Sequence, residues 1–567
     1  MTDGPAEEEL SLGDPQALRR RFEQTGDSSL LDRAVDIYAL LVARHAGSAP
    51  VGLLVQYANT LLARYQAVGD LRDVDLAMEV GQRAVDRAGD SPGPRAVTLN
   101  VMATARTASF QARGVAADLF AALSAQREAV DLLDPGQEAR VALAVNLANR
   151  LIFAFDVVRE PSVLDEAVDV TRNLLAGAMP DGWRAAALNN LGLALRARFE
   201  ATGDSDDLHA SLSAQQEALD LSPAGSAERV NRLNNLANAR WALYLSSGVL
   251  ADLDEAVVAY EAAAAQPANP LTRATCLLGL GTARWNRWGR RKLHGDLNAA
   301  ITSFTAAAEL VDDTSPTGAH CALNLGAAYF ARWRHTRQRS DLDLAVGRWE
   351  TVRTNPAAAG EIVEAATSNL GGALWERYEN AGDIADLHGA IEFLGAAPDE
   401  AKVTLKPGRV FTLAGALRRR HDVLGNEADL DRGVAAYRRA CALGVAVNPG
   451  VALSSGQLWG EWATSRQAFG EADEAFTLAT AAAIGLYRGQ HSDEHTKVWL
   501  GQATTLAARH AFVQVRLGQV AAAAATLERG RAYVLSEALH RDGPVKPDPD
   551  AAGTDLGHIV AAGVDQS

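Results

Sequence analysis

Eleven apolar residues, each following a small one, mark this chain at near-constant intervals: Val35, Met78, Leu123, Val168, Leu212, Val257, Ile301, Val346, Ile391, Val434 and Phe476. The steps are 43, 45, 45, 44, 45, 44, 45, 45, 43 and 42 residues. A fixed period of this size requires stacked units, each of which buries its apolar face against the next. A longer phrase keeps the same beat: "RRRFEQTGD" at 19–27, "ARYQAVGD" ending at Asp70, "RARFEATGD" at 196–204 and "ERYENAGD" ending at Asp383.

Each unit holds two helical patterns. In residues 183–222, Leu188, Leu191, Leu195 and Phe199 form one apolar stripe of a first helix, helix A. Gly203 is placed to cap it in the left-handed region, and the polar run from Asp204 to Asp207 supplies N-cap candidates for helix B. Ten helix-A positions from Ala58 to Gly456 are Ala or Gly, and the residue nineteen positions after each, from Ala77 to Ala475, is Ala, Ser or Gly. Helices approach closely only where side chains are short, so these twenty positions mark the crossing within each hairpin. The expectation is an all-α, right-handed superhelical solenoid of about 11–12 antiparallel hairpins over residues 14–541, with the twelfth and weakest near 495–541. Residues 1–13 read as a flexible N-terminus and 542–567 as a Pro/Gly/Asp-rich disordered tail.

Composition excludes several function classes. The net charge of −16 argues against a general nucleic-acid binder, which needs a basic surface. Three cysteines (Cys276, Cys321, Cys441) do not make a disulfide framework, and they suggest a reducing compartment. The acidic start "MTDGPAEEEL" lacks a signal-peptide pattern, and the chain reads as free of an apolar run of membrane-spanning length. The expectation is a cytoplasmic protein with no membrane partner. Cys276 and Cys321 stand 45 apart, at equivalent helix-A positions, and read as packing residues.

The unit resembles the tetratricopeptide repeat. "NLG" at 190–192 matches the family's helix-A mark, and Ala256, Tyr260 and Ala263 match its helix-B mark. The family unit has 34 residues, and most of the excess here is seven residues between the two small positions, which lengthen helix A by about two turns. "LERGRAYVLSEAL" at 527–539 and the "ARF..TGD..DLDEAV" style are similar to the arrays that precede CHAT domains, caspase-like proteases of bacterial proteins. The resemblance implies kinship with a regulatory array; the protease domain itself is absent from this sequence. It also implies a concave groove lined by helix A that takes a segment of a partner protein.

Two recurrent columns on helix A are candidates for that groove. Asn146, Asn190, Asn235, Asn324 and Asn369 stand two residues before the small position. Arg64, Arg198, Arg287, Arg332, Arg377 and Arg420 stand six after it, and Arg21 has the same place in the first unit. At about 100° per residue both columns turn away from the hairpin crossing. Asn would bond a partner's backbone, and Arg its acidic side chains or free C-terminus. Arg near a helix C-terminus equally serves the macrodipole, and Asn equally bonds the adjacent repeat. Trp285, Trp288 and Trp333 interleave with arginines in "RWNRWGRRK" (284–292) and "RWRHTRQR" (332–339), but Trp288 and Trp333 fall at the repeat's aromatic core position.

No cofactor is implied. His491 and His495 are weak metal-ligand candidates in "HSDEH", with His510 further on and no third ligand set by spacing. There is no phosphate loop and no nucleophile elbow. The reading is a non-enzymatic interaction scaffold, adaptor or regulatory sensor, possible controller of a separate effector such as a protease. The alternatives are an enzyme with its site in a divergent repeat, around Arg159–Pro161 or 491–510, and a structural homo-oligomer.

Overall fold

The computed structural model describes residues 13–45, 47–396, 406–489 and 493–540. Among them are 24 helices and no strand. The chain divides into two compact units, Met1–Ala268 and Asn269–Ser567. The first unit stacks six hairpins: α1 (Pro15–Thr25) with α2 (Ser29–Arg44), α3 (Val51–Val68) with α4 (Leu71–Ala88), α5 (Pro92–Arg113) with α6 (Ala116–Asp131), α7 (Glu138–Val158) with α8 (Pro161–Leu175), α9 (Asp181–Thr202) with α10 (Ser205–Asp220), and α11 (Ala227–Ser247) with α12 (Leu250–Ala264). The second stacks six more: α13 (Pro270–Arg291) with α14 (His294–Ala308), α15 (Pro316–Thr336) with α16 (Arg339–Thr354), α17 (Gly360–Ala381) with α18 (Ile384–Gly395), α19 (Pro407–Leu424) with α20 (Glu427–Val447), α21 (Pro449–Ser465) with α22 (Phe469–Gly489), and α23 (Asp493–Arg516) with α24 (Val520–His540). These are tetratricopeptide-like helical repeats.

The small positions make the crossings. Ala58 and Ala77, Ala103 and Ala122, and Ala148 and Ala167 have no exposed surface. At the α9–α10 crossing the Ser211 hydroxyl donates to the Gly192 carbonyl at 2.6 Å. Side chains from helix B fill the space that Gly leaves. A Cβ on Gly326 would come within 2.6 Å of Trp349 Nε1, and one on Gly371 within 2.7 Å of Leu394. Above these crossings the layers close with Leu, Val and Ile, as in the cluster of Leu119, Leu147, Leu151, Val168 and Leu195.

One helix departs from expectation. By length and composition α7 is apolar enough to cross a membrane, with half of its most apolar stretch buried in the stack. Asn146, Asn149 and Arg150 interrupt the apolar run in the sequence. In the fold, α7 is helix A of the fourth hairpin, and Leu143, Leu147, Leu151 and Phe155 face its neighbours.

The exit turn of helix A repeats with one geometry. The residue after the helix takes a left-handed conformation and its N–H donates to the carbonyl of the aromatic residue four back. Gly69 donates to Tyr65 and Gly203 to Phe199, both at 2.7 Å. Gly203 has φ 78°, and the Asp204 carboxylate then accepts from the Asp206 N–H and caps α10. Three turns of this geometry lack glycine. Arg159, Lys292 and Arg337 adopt φ of 57°, 55° and 55° instead. Each lays its cation over the aromatic ring whose carbonyl it bonds: Arg159 over Phe155 at 5.7 Å, Lys292 over Trp288 at 5.0 Å and Arg337 over Trp333 at 4.7 Å. A cation–π contact of about 0.5–1 kcal/mol offsets part of the left-handed cost. Arg159, at one of the divergent stretches, thus has a turn-forming role, and Pro161 begins α8 at the position that tolerates proline.

Gly203→Ala is expected to destabilise the α9–α10 hairpin by about 1–2 kcal/mol, because the Cβ meets no neighbour there and only the backbone conformation resists it. Urea denaturation checks the magnitude, and no loss would mean that the turn is not held left-handed.

Candidate partner-binding surface

The arginine column has a partner within its own hairpin. Arg64, Arg198, Arg287, Arg332, Arg377 and Arg420 each stand on the last turns of helix A, and each forks onto an aspartate nine residues later. For Arg332 and Asp341 the two bonds are 2.9 Å from Nε and 2.7 Å from Nη2. For Arg64 and Asp73 they are 2.8 and 2.6 Å. Every such aspartate is the third residue of its helix B, where the macrodipole favours a carboxylate. All six are buried: Asp73, Asp207, Asp296, Asp341, Asp386 and Asp429. The hydrogen bond each donates to its carboxylate holds the pKa of Arg64, Arg198, Arg332, Arg377 and Arg420 above the ordinary guanidinium range.

In four of the six, the third nitrogen of the fork reaches the preceding hairpin. Nη1 of Arg64 donates to Asp32, that of Arg198 to Asp165, that of Arg332 to Asn298 and that of Arg377 to Asp343, at 2.8–3.3 Å. The column read as a rung set for a ligand is therefore spent on the exit turn and the inter-repeat seam. The nine-residue Arg-to-Asp spacing is present in the sequence in all six units and was the signal for this role.

The asparagine column ties neighbouring A helices. The Asn190 amide is buried and donates to the Val145 carbonyl at 3.1 Å. Asn146 donates to Asn100 at 3.1 Å and Asn235 to Asn189 at 2.9 Å. Asn324 and Asn369, in the second unit, make no hydrogen bond of their amides to the described residues. His491 lies outside the described residues, as do the surroundings of His495. His510 of α23 is buried, with Nε2 at 2.9 Å from Asp473 of α22.

All three cysteines are fully buried packing residues. Burial pushes the thiol of Cys276 up to about 11 and those of Cys321 and Cys441 up to about 12. Such thiols are not nucleophiles at neutral pH.

Helix A carries a third column. Four residues after the small position stand Trp285, Phe330 and Trp375 in the second unit, and Trp241 in the first. All four are half-buried. Each second-unit ring leans on core aromatics: Trp285 lies 5.5 Å from Trp288, Phe330 5.3 Å from Trp333, and Trp375 5.9 Å from Tyr378. Trp288 and Trp333 themselves are core residues, as their register predicts. The next hairpin carries Arg418 in the same column, and Arg334 is exposed one turn beyond Phe330. The 45-residue steps from Trp285 to Phe330 to Trp375 were legible in the sequence.

No family model and no curated protein matches this chain. Among solved structures it is similar to the C-terminal part of a TPR repeat-containing protein from Cytophaga hutchinsonii, at 10% identity over 55% of this chain and 98% of that one, with a TM-score of 0.33. It is similar to a Rap protein complexed with competence and sporulation factor, at 13% identity over 71% and 99% of the two chains, with a TM-score of 0.35. A human IFIT1 dimer with PPP-AAAA matches at 13% identity over 86% and 91%, with a TM-score of 0.35. At these values the likeness assigns no function, and the hairpins themselves define the fold.

The fork makes a stability prediction. Arg332→Ala leaves the buried Asp341 carboxylate unpaired and is expected to cost about 3–5 kcal/mol. Adding Asp341→Leu removes the orphaned charge, so the double variant should recover much of that loss. Chemical denaturation of the two single variants and the double one measures the coupling. Simple additivity would show that the pair does not act as a unit.

Proposed function

We propose that this protein is an interaction scaffold that captures an extended or helical segment of a partner protein along the helix-A face of its second unit. One observation carries the reading: Trp285, Phe330 and Trp375 form a column of half-buried aromatics, one per hairpin, at identical register. A stack that only needed to fold would bury these rings or replace them with short residues, as it does two positions earlier with Ala283, Ala328 and Ala373. Rigid, partly exposed aromatics supply large contact area at little entropic cost and dominate interface energetics.

The amide of Asn369, half-buried on the same helix as Trp375, supplies backbone recognition. Arg334 and Arg418 add a preference for acidic residues or a free C-terminus. The likeness of the repeat to arrays that precede caspase-like proteases supports an effector of that kind as the partner class, held or released by the array. The role needs no catalysis and no cofactor.

The test is affinity capture by the full chain followed by mass spectrometry, with Trp285→Ala/Trp375→Ala as the comparison. Loss of two anchors at about 2 kcal/mol each lowers affinity by about three orders of magnitude at most, and by at least tenfold. A circular-dichroism melt shows that the variant remains folded. A folded variant that retains the same captured partner at the same affinity would remove the aromatic column from the site.

A further inference from the structure

Two residues after the small position of helix A, the array repeats alanine: Ala105, Ala194, Ala239, Ala283, Ala328, Ala373 and Ala416. All seven are buried, at 0–1% exposure. The position faces the preceding hairpin, and a methyl group fills it. On α7 the residue there is Arg150.

The guanidinium of Arg150 is surrounded by neutral groups. Nε donates to Gln126 Oε1 at 3.2 Å, Nη1 to Thr107 Oγ1 at 2.7 Å and Nη2 to Thr104 Oγ1 at 2.7 Å. The acceptors are themselves fixed. Thr104 donates to the Asn100 carbonyl, Thr107 to that of Ala103 and Gln126 to that of Leu143. Their oxygens are thereby turned toward the arginine. Among the described residues no carboxylate pairs with Arg150, whereas Arg64 and Arg198 in the same unit each hold two. Its surroundings desolvate the cation and pull its pKa down to about 10. Three of the five N–H groups are used, which leaves one on each terminal nitrogen. Arg150 remains part-exposed, so the head is within reach of solvent.

A desolvated cation without a counter-charge is costly, and seven sibling hairpins show that the fold does not require it. We infer that Arg150 is the centre of an anion-binding site on α5 and α7, with Thr104 and Thr107 orienting the guanidinium and Asn146 one turn away on the same helix. The ligand is an oxyanion group, a phosphate or a carboxylate, which supplies the missing charge and takes the two free N–H groups as a fork. The inference does not rest on Trp285, Phe330 and Trp375, which belong to the other unit.

The full chain is tested by thermal melting in inorganic phosphate or in succinate, each against sodium chloride of equal ionic strength. Arg150→Met keeps the volume of the side chain, and Arg150→Ala installs the array's own residue, so at least one variant should fold. An anion at ten times its dissociation constant should raise the wild-type melting temperature by about 2–4 °C, and both variants should lose that rise. A rise in phosphate alone identifies a phosphate group, a rise in succinate alone a carboxylate, and a rise in both a site for either. No rise beyond the chloride control, or an equal rise in Arg150→Met, overturns the inference and leaves Arg150 as an internal hydrogen-bond hub. Loss of partner capture in Trp285→Ala/Trp375→Ala is read separately and bears on the other unit.

Discussion

Everything in this molecule depends on how closely two helices approach at the paired small positions. The pair sets the hairpin, and the hairpin sets the height of the step to the next. One turn further along helix B, side chains fill the space that the helix-A glycines leave: Gly192, Gly281, Gly326 and Gly371 sit against Gln215, Phe304, Trp349 and Leu394. Interiors at crystal-like density tolerate little deviation in either direction, so a Cβ at any of these glycines would displace the side chain packed over it.

The second constraint is the exit turn, where three devices converge within a dozen residues. A left-handed residue ends helix A, an aromatic carbonyl four back accepts its N–H, and the Arg–Asp fork joins the end of A to the first turn of B. The recurrent phrase "RARFEATGD" is the sequence image of this turn. In it Arg198 makes the fork, Phe199 gives the carbonyl, Gly203 turns the chain and Asp204 starts the next helix. The fork places a full charge pair in a partly buried setting. Its strength comes from bidentate geometry and from the helix dipole, and its value is positional: it fixes the angle at which B leaves A.

The period, the crossing residues and the caps were legible in the sequence because each depends on one short stretch of chain. The arginine column was not, for a geometric reason. Angles around a single helix turn Arg332 away from the crossing, but they do not show that the first turn of helix B folds back beneath it. Asp341 was the missing term, and its fixed distance from Arg332 stood in the sequence without a partner to explain it. The asparagines were ambiguous for a related reason. Asn190 reaches a carbonyl of the previous repeat because adjacent A helices lie side by side, which only the stacking reveals. The aromatic column was obscured by its own neighbourhood: Trp285 was read with the adjacent arginines along the chain, and its true companions are Phe330 and Trp375, one and two repeats away.

These cases order the kinds of signal that a repeat array can carry. A residue type that recurs with a recurring partner, such as Arg with Asp, is explained by folding. A type that recurs without being fully buried, such as the aromatic column of the second unit, is in excess of folding and points outward. A residue that breaks its column is the most informative, because the sibling repeats act as internal controls. Arg159 and Arg337 break a column of glycines, and their rings Phe155 and Trp333 account for them within the turn. Arg150 breaks a column of alanines and finds only hydroxyl and amide oxygens. Its neighbours satisfy its geometry and leave its charge unanswered. The same comparison that assigns the first two residues to the fold therefore assigns the third to something that binds it.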